Sequence, residues 1–148
     1  MKKIILDKWL SKIIGKPTYT FINLSKKFNK KELPKKNFFI WVKIPTKDID
    51  KLVFYQKKGF KIIDTNIQLE FNSKISAFQN TNVRFARAND QKTIENIAGK
   101  SFQNSRFHLD KNISNIKANK IKKEWAGNYF NGNRGKWMIV IEHKSRVV

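Results

Sequence analysis

The chain has 148 residues, room for one ordinary domain or two small ones, and no cysteine, which excludes a disulfide framework, a thiolate metal site and a cysteine nucleophile. Its apolar runs are too short to cross a bilayer, and the segment from Met1 to Asp7 lacks the apolar core and cleavage site of a signal peptide, so a cytoplasmic protein with no membrane partner is expected. The formal net charge of +21 comes from 27 lysines and only five arginines, scattered in pairs rather than gathered in a block, which favours a solvated lysine coat over a nucleic-acid surface.

In chain order, Ile4 to Ile14 reads as a short helix with Ile5, Trp9 and Ile13 at spacing four, broken by Gly15 and Pro17. Thr18 to Leu24 alternates as a strand, and Ser25 to Lys36 reads as a surface loop. Phe38 to Ile44 is a β-branched and aromatic run, expected as a buried strand. A helix follows, with Thr46 as its cap, Asp48 and Asp50 in its first turn, an apolar stripe at Ile49, Leu52 and Val53, and Gly59 as its stop. Phe60 to Phe71 then alternates at period two through Ile63, Thr65, Ile67, Leu69 and Phe71, which would close a βαβ unit.

The polar segment Asn72 to Asn82 is the expected boundary between a domain at 1–78 and a second at 83–148. Beyond it, Val83 to Ala88 reads as a strand. Asp90 caps a helix with inward positions Ile94, Ile97, Ala98 and Phe102. A loop runs to Asp110, and Ser114 caps a second helix whose stripe is Ala118, Ile121, Trp125 and Tyr129. Gly132 to Gly135 is a turn, Trp137 to Ile141 a strand, and Glu142 to Ser145 a hairpin turn leading into Arg146. Trp41, Trp125 and Trp137 are expected as packing anchors, and Glu124 as a solvated charge.

The loop Ser105-Arg-Phe-His-Leu-Asp110, the positions Trp125 to Asn128 and Arg134-Gly135 behind it, and the leading Gly59 to Leu69 segment resemble the first half of a GNAT-superfamily N-acetyltransferase, nearest to those acting on nucleotide-linked amino sugars such as dTDP-fucosamine. The resemblance implies an α/β protein in which a small N-terminal βαβ domain precedes an incomplete GNAT-like domain of strand, helix, helix, strand and the start of a further strand. It also implies acetyl-CoA as co-substrate and a nucleotide-sugar or other amine as acceptor, both polyanions that a lysine-rich surface would attract. The glycine-signature helix mouth that holds the donor's pyrophosphate in that family is not found in the sequence. Gly127 to Lys136 is glycine-spotted but lies between a helix and a strand. The expectation is therefore an N-terminal part, inactive alone, that depends on a complementing C-terminal segment or on homo-oligomer formation.

By the same analogy the loop shapes the acceptor side, where Ser105 would bond a sugar hydroxyl, Arg106 a phosphate, and His108 would orient or deprotonate the amine. Each has a structural reading that weighs more: Arg106 balancing Asp110, Phe107 in the core, and His108 as a hydrogen-bonded loop residue. No catalytic residue, tightly held cofactor or metal set is assigned, since His108 with Asp110 is only a two-residue coincidence. The alternative function is a small basic nucleic-acid-binding protein, which would need Phe38, Phe39, Trp41 or Phe107 exposed beside lysines.

Overall fold

A computed structural model describes residues 4–23, 31, 33–72 and 82–148. It divides into two compact units, Met1–Ile63 and Asp64–Val148. Both mix helix and strand, and each contains one three-stranded sheet.

In the first unit the order is β1 (Ile4–Leu6), α1 (Lys8–Ile14), β2 (Thr18–Phe21), β3 (Phe39–Trp41) and α2 (Ile49–Lys57). The expected helix from Ile4 is shorter because Asp7 takes the cap. Its carboxylate accepts the Leu10 N–H at 2.8 Å, and the three residues before it pair antiparallel with β2 instead. Gly15, in the left-handed region at φ 76°, ends α1. The helix buries Leu10, Ile13 and Ile14 rather than Ile5, which sits on β1 half exposed. β2 runs parallel to β3, pairing Thr18 with Phe39 and Thr20 with Trp41. Most of the expected 25–36 loop lies outside the described residues.

Helix α2 starts at Asp48, not Thr46, and Asp48 spends its carboxylate on Lys51 at 2.8 Å rather than on a backbone cap. Its inward residue is Tyr55, 1% exposed, whereas Ile49 and Val53 face outward. The C-terminus is a Schellman arrangement. Gly59 at φ 94° donates to the Gln56 carbonyl at 2.8 Å, and Phe60 donates to Tyr55 at 3.1 Å. The ring of Phe60 meets that of Tyr55 at 5.2 Å, edge to face, which is the apolar contact such a stop requires, and Phe21 closes the cluster at 5.3 Å from Tyr55.

The expected strand over 60–71 is absent. Residues 60–72 have no regular structure, and Ile67, Leu69 and Phe71 are 78%, 88% and 70% exposed. Period-two alternation supplies an amphipathic face, but a strand exists only where a neighbour completes its ladder. The first unit therefore has no βαβ unit over 38–71, and its parallel pair is β2 with β3.

The second unit runs β4 (Val83–Phe85), a 3-10 turn (Ala88–Asp90), α3 (Gln91–Ser101), α4 (Arg106–Leu109), α5 (Asn115–Phe130), β5 (Ile139–His143) and β6 (Arg146–Val147). The sheet order is β4-β5-β6, antiparallel throughout. Ser114 caps α5 as expected, accepting from the Lys117 N–H, and the predicted stripe buries Ala118 and Ile121 completely. The connecting loop contains the helical turn α4, with Phe107 4% exposed in the core. Strand β5 begins two residues later than predicted. The hairpin closes on Lys144 and Ser145 at φ 48° and 61°, the pair of left-handed residues that a two-residue turn between twisted strands needs.

Alternation assigns the two sheet faces. Val140 is 6% exposed, and Met138 just before the strand lines one cleft with Ala98 of α3 and Ala126 of α5, so the even positions of β5 look toward the helices. The odd positions do not. Trp137, expected as a packing anchor, precedes the strand and is 74% exposed. Among the described residues no helix is long and apolar enough to cross a membrane.

Candidate functional site

Helices α3 and α5 pack against each other, and small residues let them approach. A Cβ placed on Gly127 would lie 2.7 Å from Glu95 Oε1. Together with the segment leading into β5 the two helices line an open cleft of about 310 Å³. Its walls are Phe102, Lys122, Trp125, Tyr129, Arg134 and Trp137, with Ala98, Ala126, Gly135 and Met138 forming the remainder.

Two cations and one indole organise this cleft. Lys122 and Trp125 are one turn apart on α5 and share a face, so the Lys122 ammonium lies 5.0 Å from the Trp125 ring and also 4.3 Å from Phe102. Arg134, delivered by the turn after α5, stacks on Trp125 with its guanidinium carbon 3.9 Å from the ring centroid. Gly135 at φ 68° makes that return possible, and the glycine-spotted stretch is a turn as expected. Trp125 in turn leans edge-on against Phe107 at 6.1 Å.

Among the described residues no carboxylate lines the cleft. Burial pushes the Lys122 ammonium below the usual lysine range, and the positive charges of Arg106 and Arg134 push it the same way. The two cations of the cleft, Lys122 further disfavoured by Arg106 beside it, and the aromatic faces around them form a site that an anionic ligand bearing a flat or apolar portion would relieve.

The three residues predicted for the acceptor side lie beside this cleft rather than in its wall. Ser105 stands at the N-cap position of α4, and its hydroxyl is 2.7 Å from His108 Nδ1. His108 Nε2 is 2.8 Å from Asn119 Oδ1 on α5. With the proton on Nε2, the ring donates to Asn119 and accepts from Ser105, so both nitrogens are engaged. Arg106 lies over the Phe107 ring at 4.5 Å, close enough to act on Lys122. The structure thus joins Ser105 with His108.

Asp110 is 7% exposed and uses Oδ1 to accept both the backbone and side-chain N–H of Asn112, 2.9 Å each, which shapes the turn into α5. Among the described residues no group of three metal-ligating side chains is present. Glu124, expected as solvated, has its side chain 38% exposed and lies 3.8 Å from Lys120.

Lys122, Trp125 and Arg134 were not assigned ligand roles from the sequence. A signal existed for the first two, because a lysine three residues before an inward tryptophan shares its helix face. For Arg134 there was none, since its approach to Trp125 depends on how the turn folds back. Compared with known proteins, the chain matches no protein-family model and no curated protein.

Proposed function

We propose that the second unit is the acceptor-binding part of a GNAT-like N-acetyltransferase, which transfers acetyl from acetyl-CoA to the amino group of a nucleotide-linked amino sugar. The observation that carries this reading is the cleft with Lys122 and Arg134 on its wall and no carboxylate, a place for phosphates beside rings that suit a base or sugar. The order of this unit also supports it: strand, two long helices with the short α4 between them, then two strands, against the strand, helix, helix, strand and further strand that the resemblance implies. The acetyl-CoA cradle is not assigned to any residue of this chain, whose sequence has no glycine-signature helix mouth.

Calorimetric titration with a dTDP-linked amino sugar tests the acceptor site. Binding is expected, and Lys122→Met and Arg134→Met should each weaken it about tenfold or more, the loss of one charge-assisted contact. Undetectable binding, or affinity that ignores both substitutions, would remove the reading. Turnover with acetyl-CoA is not expected from residues 1–148 alone and should appear on supplying a segment that contributes the phosphate-binding helix.

A second reading, nucleic-acid binding, draws on the net charge of +21 and on Trp137, 74% exposed beside Lys136. Phe107, one of the stacking residues that this reading needs, is buried. Affinity for single-stranded DNA that falls steeply and log-linearly with salt would favour it.

A further inference from the structure

One face of the second sheet is apolar and bare. Val83 and Phe85 of β4 pair with Ile141 and Ile139 of β5, so all four side chains share a face, and their exposures run from 40% to 65%. Val148 donates its N–H to Ile141 and adds a fifth apolar group, 64% exposed. The alternation that buries Val140 on the helix side places these residues on the other side, together with His143 and its partner Arg146. No acidic residue shares this face, since Glu142 is on the opposite side, bound to Arg84. A contiguous apolar patch of this kind on a sheet is an interaction surface.

The same unit carries a segment of matching character. Residues 64–72, Asp-Thr-Asn-Ile-Gln-Leu-Glu-Phe-Asn, contain two acids and no base, in a chain where 32 of 148 residues are basic. Ile67, Leu69 and Phe71 fall on one side at period two and are 70% to 88% exposed, so the segment does not cover the sheet of its own chain.

We propose that this face receives the 64–72 segment of a second copy of the chain, with Ile67, Leu69 and Phe71 seated on the patch formed by Val83, Phe85, Ile139 and Ile141. Two such contacts related by a two-fold axis close a dimer, because each copy offers one donor segment and one receiving face. The segment carries two acids and no base, so its approach to a chain of net charge +21 is favoured over the approach of two basic faces to each other. The inference is independent of the acetyltransferase reading.

The absence of cysteine from the chain makes the test direct. Leu69→Cys and Ile141→Cys each alter a surface position and leave the core intact. Mixed in equal amounts and oxidised, the two single variants should form a mixed disulfide dimer at least tenfold faster than either alone. The unaltered chain should sediment at twice the monomer mass at about 100 µM, and Leu69→Asp should return it to the monomer. A cross-link between two copies of Ile141→Cys in preference to the mixed pair would indicate face-to-face packing and overturn the proposal. A cross-link within one chain of the double variant, in place of the intermolecular one, would indicate that each face is covered by its own segment, with the same consequence. A monomer at every concentration tested would also sink it.

Discussion

Arg84 joins three segments of the second unit through one side chain. It holds Asp90 with two bonds of 2.7 and 3.0 Å, Glu142 with two of 2.9 and 2.6 Å, and its own strand through the Phe85 carbonyl. The Arg84 guanidinium, and then the Arg87 N–H, lower the Asp90 carboxyl from 3.8 to about 2. A depressed carboxylate adds stability that is present above its unfolded value and lost as the pH falls through its folded one. The urea midpoint of the chain should therefore drop as pH is lowered from about 4 to about 2. Asp90→Asn should start lower at neutral pH and respond less across that window, and a parallel decline in both proteins would show that other groups govern the acid limb. Asp90 also marks a limit of legibility. Its position as a helix cap was readable in the sequence, but its carboxylate serves Arg84 and Arg87 instead of the helix, a choice made by residues brought together only in the fold.

Among the elements, helices were readable where their ends carry local chemistry. Ser114 and Gly59 act where their residue types predict, and the Ala118 and Ile121 stripe is buried because a 3.6-residue period needs only one neighbouring helix. Strands were less readable, since pairing is non-local. The period-two run through Phe71 finds no neighbour, and Trp137, ahead of β5, is left 74% exposed. Two glycines give opposite predictions. Gly59→Ala should cost about 1 kcal/mol in a denaturant titration, because φ 94° strains any residue with a Cβ. Gly99→Ala should stabilise by roughly 0.5–1 kcal/mol, since a Cβ there meets Lys123 Cβ at 3.5 Å, an ordinary contact, and mid-helix alanine orders at lower entropic cost. Equal signs for the two would mean that backbone conformation is not what separates them.

For the molecule as a whole, the α/β class and the order of most elements were accessible from the residues, whereas the cleft was not. Its cations come from α5 and from the turn after it, so the site exists only once Arg134 folds back on Trp125. Charge operates at this scale too. With a net +21, binding of unrelated polyanions such as heparin should weaken sharply between roughly 50 and 200 mM salt, while a ligand held by the partly desolvated Lys122 should be less affected. Similar salt slopes for both would place the ligand on the surface rather than in the cleft.

The unstructured run after Ile63 has a practical corollary for cleavage. From Ile62 to Ser73 the sequence has no lysine or arginine, so trypsin has no scissile bond within residues 64–72. A protease that cuts after leucine or phenylalanine meets Leu69 and Phe71 exposed in the single chain, so brief chymotryptic treatment of dilute protein should release two fragments that correspond to the two units, and the same bonds should be protected at concentrations where the proposed dimer forms.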